Sequence, residues 1–227
     1  MSFCKVCLGA SAVLALTSLS SADFVDVQYL GTQRGRQVNV VSPGINGQLF
    51  AGQLLLDLDN GPPGYDGPLT VFCSDLYQTV SGSWLSYEIV PVEFLPTTSP
   101  MGMAKAEAIR QLYAYAGGSQ LLGSTSDDFA AAFQLAIWEI VTDFDGISGG
   151  TSLDFTNGLF QASSLTAQIE ADAASLFAAI GYQDISGTQL EGLSNDGAQD
   201  YIRYVPAPGA VALLGLAGLV GARRRRA

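Results

Sequence analysis

The chain has 227 residues, of which 48% are hydrophobic and 14% charged, with a formal net charge of −11 and no histidine. That length suits one or two ordinary domains, and the apolar content excludes a disordered chain. The acidic balance argues against a nucleic-acid partner, which needs a basic footprint. Without histidine there is no Ser-His-Asp or Cys-His catalysis, and no His-ligated zinc or haem.

Residues 1–22 read as a secretory signal peptide. Lys5 forms a short positive region, Val6 to Leu16 an apolar run, and Ser20-Ser21-Ala22 a small-residue cleavage site before Asp23. Strands are predicted over Phe24–Leu30, Gln37–Val41 and Gly47–Asp57, where β-rich or alternating patterns occur. Asn60 to Pro68 is rich in Gly and Pro and reads as a loop. A short apolar strand, Leu69–Cys73, follows, and then the alternating Ser83–Val90.

Helical spacing begins at Met101 and runs to Tyr115, with Gly117-Gly118 as its stop. Ser126 is an N-cap candidate, and Asp127 and Asp128 suit the start of the next helix, which runs to Val141. A third helix is predicted over about Leu165–Ile180, then strands at Thr188–Leu193 and Gln199–Val205. This order predicts an α+β fold: a β scaffold with an inserted block of about three helices. A C-terminal transmembrane helix completes the expectation.

That last element rests on the tail. Gly209–Ala222 would span roughly 21 Å as a helix and Val205–Ala222 roughly 27 Å, against an apolar bilayer core of about 30 Å. Arg223, Arg224, Arg225 and Arg226 then form a stop that stays on the cytoplasmic side. The three parts together (Val205-Pro206-Ala207-Pro208, a Gly/Ala/Leu-rich span, an Arg cluster) resemble the PEP-CTERM sorting signal of Gram-negative bacteria. The resemblance covers about the last 23 residues and implies a partner, an exosortase-type processing enzyme that cuts near the Pro motif, with membrane contact before processing. The implied organisation is a signal peptide at 1–22, an exported domain at 23–204 and a sorting signal at 205–227. Removing both ends leaves five cations against 21 acids, an exported domain at −16 with Cys73 as its only thiol.

Positions 129–138 are apolar except for Gln134. A helix apolar all round is buried, and a buried unpaired amide costs roughly 1–3 kcal/mol. Gln134 therefore needs a partner or must have reacted. Cys73 ends an apolar strand, and taken alone reads as a small buried hydrophobe. The pair says more. Phe72-Cys73-Ser-Asp75-Leu and Phe133-Gln134-Leu-Ala136-Ile137-Trp138 resemble the two signature segments of bacterial thioester domains. In that family a cysteine sulfur and a glutamine side-chain carbonyl join with loss of ammonia. The resemblance implies Cys73 as the sulfur, Gln134 as the acyl group and Trp138 as a packing aromatic. The bond would be an electrophile for an amine- or hydroxyl-bearing target. Phe72, Phe133 and Trp138 would exclude water, and Asp75 or Glu139 could move a proton.

Two acidic turns, Asp57-x-Asp59-Asn60-Gly61 and Asp143-x-Asp145-Gly146, resemble incomplete calcium loops and read better as solvated turns. The expected function is that of a non-enzymatic cell-surface or extracellular-matrix protein, without cofactor or metal, that attaches through a Cys73–Gln134 thioester. The alternatives are an inert structural matrix protein and a secreted hydrolase working with paired carboxylates such as Asp127 and Asp128.

Overall fold

A computed structural model describes residues 23–147 and 149–206. It opens on a long hairpin, β1 (Asp23–Ser42) and β2 (Ile45–Asp59). Pro43 and Gly44 make its two-residue turn, and Gly44 takes the left-handed φ of 82° that such a turn needs. The two strands expected at Phe24–Leu30 and Gln37–Val41 are thus one strand. The register shifts between Tyr29 and Gly31 and between Thr32 and Gly35 without breaking it. Bulges of this kind bend a strand and increase its twist.

Gly35 lies opposite Gly52. A Cβ on Gly35 would collide with Ala51 O, and one on Gly52 with Arg34 O. Gly35→Val is therefore expected to cost at least about 2 kcal/mol through overpacking, read as a lower urea midpoint. A wild-type midpoint would contradict this close approach.

The remaining strands are β3 (Gly67–Cys73), β4 (Leu85–Pro91), β5 (Gln161–Ser163), β6 (Gln189–Ser194) and β7 (Tyr201–Val205). All pairings are antiparallel. The order is β2-β3-β7-β6-β4-β1-β5, and β1 also pairs with β2. Six strands therefore close into a ring, because Asp23–Val27 of β1 reaches β4 while Asp26–Ser42 reaches β2. Closure removes exposed strand edges. β5 is appended at Asn39–Val41.

Among the described residues four helices accompany the ring: α1 (Gly102–Tyr115), α2 (Ser119–Ser124), α3 (Asp127–Asp143) and α4 (Ala167–Ala179). The expected α+β scaffold with an inserted three-helix block is overturned by the described residues. The fold is mostly sheet, seven antiparallel strands with a few helices, because the strands satisfy each other's main-chain groups around a closed ring. Among the described residues no helix is long and apolar enough to cross a membrane. The span expected at 209–222, the sorting-motif residues Ala207 and Pro208, the Arg223–Arg226 cluster and the signal at 1–22 lie outside the described residues. Val205 ends β7 and Pro206 follows it.

α3 is the organising helix. Ser126 caps it, accepting from Phe129 N–H at 3.0 Å. Asp127 and Asp128 favour its N-terminus and also face β1, where Arg36 Nε meets Asp128 at 2.7 Å and Arg34 meets Asp127 at 3.4 Å. Every residue from Ala130 to Ile140 is buried. The helix packs on β1, β2 and β3 and also on α1 and α4. A helix so enclosed has no polar face, and this explains its nearly continuous apolar sequence.

Candidate functional site

Cys73 is the last residue of β3, where it pairs with Tyr201 of β7. Gln134 lies in the middle of α3. Packing of that helix on the β3 end brings the two together. Cys73 N–H donates to Gln134 Oε1 at 2.9 Å, and Gln134 Nε2 donates to Cys73 O at 2.8 Å. The side-chain amide thus pairs with both main-chain groups of the cysteine, which answers the need for a partner raised by its burial. The Cys73 thiol donates to Asp75 O at 2.6 Å.

Both residues line a cavity of about 330 Å³ together with Asp75, Tyr77, Trp138 and Gln199. Tyr29, Gln78 and Gln199 belong to it although nothing in the sequence marks them. They reach it through ring closure and through the segment after β3, which places Gln199 N–H on Thr79 O at 3.1 Å and Gln199 Nε2 on Asp75 O at 3.1 Å.

The electrostatics favour neutral groups. Burial pushes the Cys73 thiol far up, and the charges of Asp75 and Asp200 add to this. The neighbouring Trp138 indole and the Asp75 main chain pull the other way. Trp138 Nε1–H makes no hydrogen bond within ordinary geometry among the described residues, so its pull on the sulfur is one of proximity. Asp75 and Asp200 are themselves raised by burial, against opposing main-chain N–H donors. Asp200 is well satisfied, accepting from Thr97 N–H at 2.6 Å, Thr97 Oγ1 at 2.8 Å and Asn195 N–H at 2.8 Å. Asp75 is not: its Oδ1 accepts Tyr77 N–H at 2.6 Å, while Oδ2 is buried without a partner.

The other expected site residues separate into two groups. Phe72 and Phe133 do not line the cavity; their rings pack at a tilt with centroids 4.8 Å apart, and both meet Tyr113. Ile137 is core. Of the three aromatics expected to exclude water, only Trp138 lines the cavity. Glu139 also points elsewhere, its Oε1 accepting Asp154 N–H at 3.2 Å and its Oε2 left unpaired. Burial, with Asp143 second, raises it to about 8.

Glu139 predicts a pH dependence. The folded state keeps a proton that an unfolded glutamate releases near about 4.3. Its share of stability is therefore full below that range and falls as pH rises toward about 8. The loss is no more than about 1.4 kcal/mol per pH unit. Glu139→Gln should flatten the fall of urea stability across this window, leaving only the share of Asp75 and Asp200. An unchanged slope would contradict the assignment.

The calcium-like turns serve local structure. Asp59 accepts Asn60 N–H at 2.9 Å, and Asp143 accepts Leu159 N–H and Phe160 N–H at 3.1 and 2.8 Å. Among the described residues no three His, Cys, Asp or Glu side chains gather to hold a metal ion.

The arrangement at Cys73 can do one kind of chemistry. The hydrogen bond from Cys73 N–H polarises the Gln134 carbonyl and would hold the negative oxygen formed if a sulfur attacked Cδ. The nucleophile and the oxyanion donor would then come from one residue, in the wall of the cavity. No protein-family model matches the chain, and neither a curated protein nor a solved structure is significantly similar to it.

Proposed function

We propose that this chain is an exported cell-surface or extracellular-matrix protein that attaches covalently to an amine- or hydroxyl-bearing partner through a Cys73–Gln134 thioester. The observation that carries this reading is the two-point pairing of the Gln134 amide with Cys73 in the wall of a cavity. It ties the Gln134 amide to the main chain of the residue that carries the nucleophile, which supports a closure that needs sulfur and carbonyl held close together. Closure would release one ammonia. An incoming amine would then form an amide with the Gln134 acyl carbon and return Cys73 to a thiol. The terminal sequence patterns support export and an exosortase-type processing enzyme.

Methylamine is the probe. After treatment, peptide mapping should find N-methylation at Gln134 alone and a newly alkylatable thiol at Cys73. Unmodified Gln134 with Cys73 alkylated before treatment would end the proposal. Two observations favour the second reading, an inert structural protein. Both ends of the amide are already satisfied, and burial holds the thiol protonated. On that reading methylamine changes neither residue.

A further inference from the structure

Asp75 is buried, and its carboxylate is half used. Oδ1 holds the turn through Tyr77 N–H, whereas Oδ2 has no partner among the described residues. A buried carboxylate oxygen left unpaired is costly, and such exceptions call for an explanation. Asp75 is also the residue whose main-chain oxygen receives the Cys73 thiol proton at 2.6 Å. It lines the cavity of Cys73 and Gln134 and, on its other side, a second cavity of about 410 Å³ that Lys105 also lines.

We propose that the Asp75 carboxylate carries the proton for closure of the Cys73–Gln134 bond, taking it from Sγ as the sulfur attacks Cδ and delivering it to Nε2 as ammonia leaves. This rests on the reading that the thioester forms. The balance is complete within the site. The S–H and C–N bonds break, the S–C bond and one N–H bond form, and Nε2 departs as ammonia with its third hydrogen. No oxidant or reductant is involved.

The neighbours suit the task. Burial raises the Asp75 carboxyl, which makes it a stronger base than an exposed carboxylate. The groups around it are Cys73 from β3, Asp200 from the β6–β7 connection, Tyr77 on its own segment and Lys105 of α1 across the second cavity. Lys105 is engaged with Val141 O at 2.7 Å and Thr142 O at 3.4 Å. Asp200 is filled by its own donors. Of the two carboxylates whose charge acts on the thiol, Asp75 is left as the one with an oxygen that has no hydrogen-bond partner among the described residues.

The test starts from full chain recovered unfolded, with Cys73 reduced by a phosphine and Gln134 intact. Diluted into refolding buffers of increasing pH and quenched at intervals, it is followed by intact mass for ammonia loss. Asp75→Asn keeps the acceptor for Tyr77 N–H and the side-chain volume but removes the base. It should close about 100-fold more slowly, with the rise of rate with pH abolished. Asp75→Glu should recover part of the rate. An Asn variant that closes at the wild-type rate with the wild-type profile would overturn the role of Asp75 alone. A wild-type chain that never loses ammonia would overturn both this role and the thioester. Should the Asn variant fail to fold, the wild-type profile decides: a rate rising with pH through one ionisation below the thiol range supports the proposal, and a flat profile overturns it.

Discussion

Gln134→Ala should abolish methylamine incorporation and destabilise the protein by about 2–5 kcal/mol. The chemical loss follows from removing the acyl carbon. The stability loss follows from the geometry. Cys73 N–H and Cys73 O would both be stranded in the interior, where an unmet main-chain group costs about 1–3 kcal/mol. The vacated volume adds a cavity term. Gln134→Glu separates the two effects. It keeps the acceptor for Cys73 N–H and fills the space but has no amide to lose, so it should stay folded near acid pH while remaining inert to methylamine. Stability is read from urea unfolding and reactivity from mass. A Gln134→Ala variant that unfolds at the wild-type midpoint would mean that the two-point pairing contributes nothing.

Phe133→Ala should be the most damaging single core change, at about 3–5 kcal/mol. Phe133 is fully buried, and its ring meets Phe72 at 4.8 Å, Tyr113 at 4.9 Å and Phe129 at 6.5 Å. These contacts join α3 to β3 and α1, so the vacancy opens where the helix bearing Gln134 is seated on the strand bearing Cys73. Any thioester yield should fall along with stability. A shift of the urea midpoint worth less than about 1.5 kcal/mol, at unchanged slope, would show that α3 is held elsewhere.

The sequence carried the local elements and missed how they close. The cap at Ser126, the stop at Gly117-Gly118 and the buried character of 129–138 are local signals, legible because capping chemistry and apolar spacing act within a few residues. The continuity of β1 was not legible. Gly31 and Gly35 interrupt the pattern, and only pairing with β2 shows that both stay in one strand beside bulges at Leu30 and at Gln33-Arg34. The ring was hidden for a related reason. That one strand pairs on both edges is a tertiary fact, and it turns an expected mixed architecture into a mostly sheet fold. β5, three residues long, is too short for periodicity to show.

The site divides in the same way. Gln134 stood out as a lone polar residue on an apolar helix, and its need for a partner could be argued from energy alone. Its two bonds to the main chain of Cys73 could not, because they depend on how α3 crosses the end of β3. Phe72 and Phe133 were expected to wall the site, yet their direction is set by Tyr113 on α1, which the spacing of Phe72 and Cys73 says nothing about. Gln199 comes from a distant turn and gives no signal in the sequence.

The most direct measurement is the intact mass of the full chain, taken before and after methylamine, with Cys73 alkylation followed in parallel. A Cys73–Gln134 thioester requires a mass short by one ammonia and a blocked Cys73. Methylamine should then add once and free the thiol. A chain of full mass whose Cys73 alkylates without methylamine would contradict the thioester.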